Sequence, residues 1–301
     1  MSDVARSPEE TGAGVGPDRA KLKELARQIR RDTVRMIVNA GSGHPGGALG
    51  IADVLAVLYG WAMAAPSRGL DSPDRDRLIL SNGHICAAQY SALARTGSIP
   101  VGELATFRKL GSRLQGHPSR IHLPALVETS TGPLGQGFSV ANGLTLGLRA
   151  AGSPARVYCV LGDGELQEGQ VWEAAMTSAQ YKLANLTVFV NWNGLQIDGP
   201  LERVKALEPI AARFSAFGWK TLEIDGHDIS AIIGAIEAAR SEKARPTAII
   251  AKTVMGKGVP FMEGLAKWHG NCPSREQEKE ALAALGSSPL YADFMIPGEK
   301  A

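Results

Sequence analysis

The second half of the chain, from Arg156 onward, alternates short apolar runs with segments of helical pattern, and this alternation limits the possible folds more than any other feature. It predicts an α/β fold, with a parallel β-sheet flanked by helices on both faces. The predicted strands are Arg156–Leu161, Leu186–Asn191, Lys220–Ile224 and Thr247–Lys252. The predicted helices are Gln170–Leu183, Leu207–Phe217, Ile229–Ser241 and Ser274–Leu285. Ligands of such sheets bind beyond the carboxyl ends of the strands.

The first half of the chain adds one strand and several helices to this pattern. The predicted strand is Arg77–Leu80. The predicted helices run from the N-cap Asp18 to about Ala40, over Ala48–Met63, from the loop at 81–84 to about Arg95, over Val101–Lys109 and over Gly135–Ala150. Because no repeat, linker or domain boundary is visible, residues 18–301 are expected to form a single domain.

Two segments raise the question of targeting or membrane insertion. Residues 1–17 are rich in Ser, Gly, Glu and Pro and lack an apolar stretch, which predicts a disordered tail and not a signal peptide. The run Ala48–Ala65 is apolar, but Asp53 interrupts it and no basic flank anchors it. A buried or interface helix is therefore favoured over a membrane span.

Charge and cysteine content restrict the function classes and the compartment. The formal net charge is +2, and no stripe of Arg and Lys with interleaved aromatic residues is present, so nothing favours nucleic-acid binding. The three cysteines lie far apart and form no CxxC pair. This pattern argues against a disulfide framework and favours a reducing compartment, which predicts a cytoplasmic protein.

Asp163 and Asn193 each follow a predicted strand, and a helix lies between the two strands. In a right-handed βαβ unit of adjacent strands, both ends lie at the same edge of the sheet, so a carboxylate and an amide oxygen would converge there. These are hard oxygen ligands, which suit Mg²⁺ or Ca²⁺ together with phosphate oxygens. Gly164, beside the carboxylate, would let a diphosphate approach the backbone.

Four of the six histidines stand in Gly-rich or Pro-bounded loops, namely His44, His84, His117 and His269. Imidazole can bond phosphate oxygens or sugar hydroxyls and can relay protons near neutral pH. A zinc cluster is the competing interpretation, but the short i, i+3 or i, i+4 pairs usual for zinc are missing.

A further Gly-rich loop, Thr131–Gly137, precedes a predicted helix. It is either an ordinary tight turn or a backbone surface for a planar ring with Leu134 as its apolar contact. The order GxxGxG is not a dinucleotide fingerprint, and Met255–Gly258 lacks the Ser or Thr of a P-loop. Glu168 is by default an acidic residue in the first turn of a helix.

On these motifs the chain resembles the N-terminal, diphosphate-binding half of transketolase, a family of thiamine diphosphate enzymes. The resemblance covers about residues 20–275 and keeps the family's motif order. The motifs are SGHPG, DRLILSNGH, GHP, TGPLGQG, LGDGELQEG, NGLQIDG, IDGHD, KTVMGKG and WHG. LSNGH, TGPLGQG and LQEG together favour transketolase over related thiamine diphosphate enzymes.

The resemblance implies roles for the residues singled out above. The divalent metal, Mg²⁺ or Ca²⁺, would be bound by Asp163, Asn193 and the backbone carbonyl of Leu195. The groups near the diphosphate of thiamine diphosphate would be Gly164, His84 and His269. The residues facing its aminopyrimidine would be Gly132 and Leu134. The residues lining the substrate channel and assisting proton transfer would be His44, His84, His117 and His269. Glu168 would join a carboxylate network that links two active sites.

The chain departs from the family pattern in two respects. Family members often carry an acidic residue where this chain has Asn191, so the hydrogen bonding next to the metal loop is open. The chain also ends near the point where full-length members begin their pyrimidine-binding domain. That domain supplies the glutamate that activates the aminopyrimidine and many groups that hold the sugar phosphate.

The resemblance therefore implies the N-terminal subunit of a two-chain transketolase. It would transfer a two-carbon ketol unit from a ketose or ketose phosphate to an aldose, and would be active with a C-terminal subunit in an α2β2 heterotetramer. A non-catalytic, cofactor-retaining subunit is the alternative, and a nicotinamide dehydrogenase is disfavoured because no GxGxxG follows a strand. The sugar stays open between central metabolism and a specialised pathway.

Overall fold

The structure is a computed structural model that describes residues 16–63 and 72–299. The predicted tail, residues 1–17, lies outside the described residues except for Gly16 and Pro17, which have no regular secondary structure. The prediction of a single domain over 18–301 stays a prediction.

The predicted parallel sheet is present and contains five strands. They are β1 (Arg77–Leu80), β2 (Val157–Gly162), β3 (Leu186–Trp192), β6 (Lys220–Asp225) and β7 (Thr247–Lys252), in the order β1-β2-β3-β7-β6. Every neighbouring pair is parallel. A separate antiparallel hairpin pairs β4 (Leu195–Gln196) with β5 (Gly199–Pro200). All five strands of the main sheet therefore end at one edge, and this confirms the α/β prediction.

Ten α-helices accompany these strands in the described residues. They are α1 (Arg19–Ala40), α2 (Pro45–Gly50), α3 (Ala52–Val57), α4 (Cys86–Arg95), α5 (Gln136–Ala150), α6 (Gly169–Gln180), α7 (Leu201–Lys205), α8 (Ile210–Ala216), α9 (Ile229–Ser241) and α10 (Arg275–Leu285). A π-helical turn covers Leu58–Ala62, and 3₁₀ turns cover Gly83–Ile85, Val101–Thr106, Gly164–Gln167 and Ala266–Trp268.

The sheet separates two apolar layers, because alternate strand residues point to opposite faces. Tyr158 and Val160 of β2 pack with the layer of α1, α3, α4 and α9. Val157, Cys159 and Leu161 of the same strand pack with the layer of α5, α6 and α8. Helices thus cover both faces, as the near-continuous apolar strands predict.

Two helix predictions were wrong in detail. The helix predicted over Ala48–Met63 begins earlier, at Pro45, and is divided at Ile51 and again by the π-helical turn. The guanidinium of Arg30 donates a hydrogen bond to the carbonyl of Leu49 next to the first division (3.0 Å), a contact from a distant helix. The helix predicted over Val101–Lys109 is a 3₁₀ turn that ends at Thr106.

One further helix boundary differs from the prediction. The helix predicted from Leu207 begins only at Ile210, with Pro209 as its N-cap residue.

The apolar run from Ala48 is buried through Tyr59, as predicted. No helix in the described part of the chain has the length and apolarity to cross a membrane.

Candidate functional site

The candidate site lies at the edge where the parallel strands end. The loops that follow β1, β2, β3 and β7 begin at Ser81, Asp163, Asn193 and Thr253, respectively. Gly162 of β2 pairs in register with Asn191 of β3, so the residues that follow them are neighbours across the two strands. The βαβ arrangement expected from the sequence is therefore present.

Asp163 is buried, and its carboxylate accepts hydrogen bonds from three backbone groups. One oxygen accepts from the N–H groups of Asn193 (2.8 Å) and Gly194 (2.6 Å). The other accepts from the N–H of Gly164 (2.8 Å). Burial raises the pKa of Asp163 to about 6, although these three N–H groups act in the opposite direction. The structure thus places the carboxylate of Asp163 against the backbone of Asn193, and a cation beside the carboxylate would favour its charged form.

Asn193 and Leu195 continue the same loop. The side-chain oxygen of Asn193 accepts from the N–H of Leu195 (3.0 Å), and Gly194 between them has a φ of 74°, a left-handed conformation that suits glycine. The hairpin β4–β5 begins at Leu195. The three groups that the resemblance assigns to the metal therefore lie just after two neighbouring strands. Asp163 follows β2, and Asn193 and Leu195 follow β3.

Three of the four predicted histidines form a cluster at this edge. The ring centroids of His44 and His84 are 5.1 Å apart, those of His84 and His269 are 5.2 Å apart, and those of His44 and His269 are 5.7 Å apart. His44 precedes α2, His84 lies in the 3₁₀ turn after β1, and His269 follows the turn Ala266–Trp268. In the described ranges 16–63 and 72–299, no group of three His, Cys, Asp or Glu is arranged to hold a metal ion.

Burial keeps these imidazoles neutral at physiological pH. Burial, together with the smaller effect of neighbouring charged groups, lowers the pKa of His44 to about 4 and that of His84 to about 3. Burial also lowers the pKa of His269. The Nδ1 atoms of His44 and His269 are buried and bond to no group in the described chain. A neutral imidazole with an unused nitrogen can bond a ligand oxygen.

His117 lies beside the Gly-rich loop Thr131–Gly137 instead of in this cluster. A Cβ added at Gly132 would lie 2.9 Å from Cδ2 of His117, and Gly132 has a φ of 141°. Burial lowers the pKa of His117, and the charge of Arg108 lowers it further. Glycine at position 132 therefore lets the imidazole lie directly against the loop.

The Gly-rich loop also packs on the loop that carries His84. A Cβ added at Gly83 would lie 2.7 Å from the hydroxyl of Thr131 and 3.0 Å from the N–H of Gly132. Leu134 is exposed, with 37% of its surface accessible. The contact thus fixes the loop beside the histidine cluster and leaves an apolar side chain free for a planar ring.

Glu165 is a buried carboxylate that reasoning from the sequence missed. It accepts hydrogen bonds from the hydroxyl of Ser81, from the N–H of Gly135 (2.8 Å) and from the N–H of Gly162 (3.0 Å). Burial raises its pKa, and the nearby Glu168 raises it further. Glu168 itself is exposed and precedes α6. The only sequence signal for Glu165 was its place two residues after Asp163.

Asn191, where the resemblance implies an acidic residue in many family members, uses both ends of its side-chain amide. Its side-chain oxygen accepts from the hydroxyl of Thr253 (2.6 Å), and its amide nitrogen donates to the carbonyl of Gly47 (3.5 Å). These two contacts suit an amide, which can accept and donate at once. Asparagine at this position therefore keeps one accepted and one donated hydrogen bond.

Comparison with known proteins gives the family. The family model described as the transketolase thiamine diphosphate binding domain matches residues 21–301. The chain is 39% identical over 264 residues to the 6-deoxy-6-sulfo-D-fructose transketolase subunit SqwG of Clostridium sp. (strain MSTE9), a match that covers 88% of this chain and 96% of that protein. It is 37% identical over 268 residues to an apulose-4-phosphate transketolase subunit of Actinobacillus succinogenes, with 88% and 96% covered.

A solved structure gives the same result. The crystal structure of transketolase from Campylobacter jejuni matches with a TM-score of 0.84 at 35% sequence identity, covering 93% of this chain and 45% of that chain. The chain thus spans less than half the length of that enzyme. The resemblance found in the motifs is confirmed, and this chain belongs to the family of the transketolase thiamine diphosphate binding domain.

Proposed function

We propose that this chain is the cofactor-binding subunit of a two-chain transketolase, which moves a two-carbon ketol unit from a ketose to an aldose. The observation that carries the proposal is the edge of the sheet, where Asp163 and Asn193 lie together and three neutral histidines cluster. Bound thiamine diphosphate supplies the carbanion and the electron sink that cleavage of a ketose carbon–carbon bond requires.

The donor set fits a hard divalent cation. Asp163 would provide a carboxylate oxygen, Asn193 an amide oxygen and Leu195 a carbonyl oxygen, and such ligands suit Mg²⁺ or Ca²⁺ when phosphate oxygens complete the shell. The carboxylate is buried with only N–H donors around it, so a cation would relieve the cost of burying its charge. Gly164, His84 and His269 would contact the diphosphate, and Gly132 and Leu134 the aminopyrimidine.

The histidines would then bind the sugar and move its protons. His44 and His269 each have a buried nitrogen free to bond a sugar oxygen, and both are neutral near pH 7. A neutral imidazole can accept a proton from one hydroxyl and return it to another group. His84 and His117 would line the same channel, and Glu168 would contribute to a carboxylate network between two sites.

A partner chain would complete the site. The two relatives of similar length are named as transketolase subunits, which supports a second polypeptide with the pyrimidine-binding domain. We propose an α2β2 assembly of the two chains. A cytoplasmic location also stays a proposal, and the three free cysteines Cys86, Cys159 and Cys272 are in keeping with it.

The sugar of those relatives suggests a substrate class. The named substrates are a 6-sulfo sugar and a sugar 4-phosphate, and both carry an acidic group. We therefore propose that this chain also acts on an acidic sugar, one that belongs to a specialised pathway and not to central metabolism.

Reconstitution with the partner chain tests the proposed function. The chain is purified alone and together with its partner, and ketol transfer is measured with thiamine diphosphate, Mg²⁺ and a panel of acidic ketoses and aldoses. The complex should convert at least one pair, and the chain alone none. Binding of the cofactor without turnover of any pair would instead support a non-catalytic subunit.

A further inference from the structure

Arg108 has a backbone conformation that is unusual for its residue type. Its φ is 58°, and Lys182 is the other non-glycine residue with positive φ in the described ranges 16–63 and 72–299. The left-handed region costs a residue with a side chain about 1–2 kcal/mol. Such strain persists where surrounding contacts enforce it, which is frequently at functional sites.

The guanidinium of Arg108 is held between two loops that carry predicted site histidines. It donates to the hydroxyl of Ser42 (3.2 Å), two residues before His44, and to the carbonyl of Gly116 (3.2 Å), which immediately precedes His117. A Cβ added at Gly116 would lie 2.9 Å from the central carbon of the guanidinium. The group therefore lies flat against a glycine and has a fixed position.

No carboxylate pairs with this cation in the part of the chain that the structure describes. Its hydrogen-bond partners are the two neutral oxygens above, and its Nε atom is buried without a partner. Arg30 and Arg95, in contrast, are paired with Asp53 and Asp32. A partly buried charge is costly unless an opposite charge compensates it, so Arg108 is poised for an anion from outside the chain.

The position of Arg108 separates two candidate anions. Its guanidinium bonds Ser42 and Gly116, which lie on the loops of His44 and His117, and in the described residues no hydrogen bond joins it to the loops of His84 and His269. The guanidinium thus lies toward His44 and His117, while the diphosphate is assigned to His84 and His269. This favours the sugar over the cofactor as the source of the anion.

We propose that Arg108 is a specificity-determining residue that binds the acidic group of the sugar substrate through its fixed, unpaired guanidinium. The inference rests on the proposed ketol transfer and adds a residue of this chain to substrate recognition. Arginine suits the task because its planar fork can make two parallel bonds to phosphate or a similar oxyanion.

The test compares two aldose acceptors that differ only in a terminal phosphate, using the complex with its partner chain. Arg108→Met removes the charge and, like arginine, keeps an unbranched side chain at this left-handed position. The KM for the phosphorylated aldose should rise by about tenfold to a hundredfold, the usual effect of losing a bond to a charged group. The KM for the unphosphorylated aldose and the affinity for thiamine diphosphate should change less than about twofold, within the spread of surface substitutions.

Two further variants serve as controls. Arg113→Met removes an exposed arginine of the same loop that is paired with Glu103 (2.7 Å), and it should leave both KM values unchanged. Arg108→Lys keeps the charge without the fork and should give an intermediate KM for the phosphorylated aldose. If Arg108→Met fails to fold, Arg108→Lys takes its place in the comparison of the two aldoses.

A binding measurement keeps the inference separate from the proposed activity. Inorganic phosphate is titrated into the complex after saturation with thiamine diphosphate and Mg²⁺, and Arg108→Met should weaken its binding by about tenfold or more. Absence of turnover in the unaltered complex would count against the proposed function, while this titration would still test Arg108. Equal KM changes for both aldoses, unchanged phosphate binding, or dissociation from the partner chain on substitution would each overturn the role of Arg108.

Discussion

The neutral imidazoles of His44, His84 and His269 show how single residues obtain their properties from distant parts of the chain. Each lies in a different loop, and burial among the others lowers the pKa of all three. Their glycine-rich surroundings were visible in the sequence, which is why they could be predicted as site residues. The strained Arg108 was not, because its φ depends on contacts with Ser42 and Gly116.

Acid should destabilise the cofactor-free protein through these histidines. An unfolded histidine protonates near its ordinary pKa of 6.5, whereas folded His44 and His84 protonate only at about 4 and about 3. The unfolded state therefore binds more protons between about pH 6.5 and 4, so the free energy of unfolding falls as pH falls through this window. Urea unfolding at several pH values measures this dependence.

A matched pair of variants assigns the effect. His84→Asn should make the dependence of the free energy of unfolding on pH shallower, because it removes one histidine with a lowered pKa. His122→Asn alters an exposed histidine bonded to Ser119, and its profile should follow that of the unaltered protein. Identical slopes in all three proteins would contradict the assignment.

Among the structural elements, the strands were the easiest to predict and the breaks in helices the hardest. The apolar runs at β2, β3 and β7 are buried on both faces, so their composition alone identifies them. The break between α2 and α3 coincides with a hydrogen bond from Arg30 of α1, which no local pattern reveals. Glu165 was missed for a similar reason, because its partners Ser81 and Gly135 come from remote segments.

Glu165 should stabilise the junction of three elements more than its neighbour Glu168 does. Its carboxylate joins the loop after β1, the start of α5 and the end of β2. Glu165→Gln would place an amide N–H₂ against a donor and should lower the free energy of unfolding by about 1–3 kcal/mol. Glu168→Gln makes the same change at an exposed position and should cost less than about 0.5 kcal/mol. Equal losses in urea unfolding would show that the junction does not depend on Glu165.

At the scale of the whole molecule, the chain supplies one part of a transketolase and the proposed partner supplies the rest. The sequence predicted the family because its motifs keep their order, and the family match over residues 21–301 confirms it. The substrate could not be predicted, because the groups that hold the sugar phosphate are expected mostly on the other chain. The exception is Arg108, the residue of this chain that we propose binds the acidic group of the sugar.

The assembly should contain two copies of each chain. Light scattering of the purified complex should give twice the summed mass of the two chains, and this mass should persist on dilution. A stable mass equal to one copy of each would contradict the α2β2 proposal and, with it, the role of Glu168 between two sites.

The central claim is that Asp163 and Asn193 hold the metal through which the chain binds thiamine diphosphate. The most direct test is calorimetric titration of thiamine diphosphate into the complex with its partner chain, with Mg²⁺ and then with a chelator. Asp163→Asn should weaken Mg²⁺-dependent binding by at least about tenfold, as expected when a group at a metal site is altered. Asp228→Asn keeps its role as the N-cap of α9 and should bind like the unaltered protein, with circular dichroism confirming both folds. An Asp163→Asn complex that binds the cofactor with unchanged affinity, or an unaltered complex indifferent to the chelator, would contradict the account.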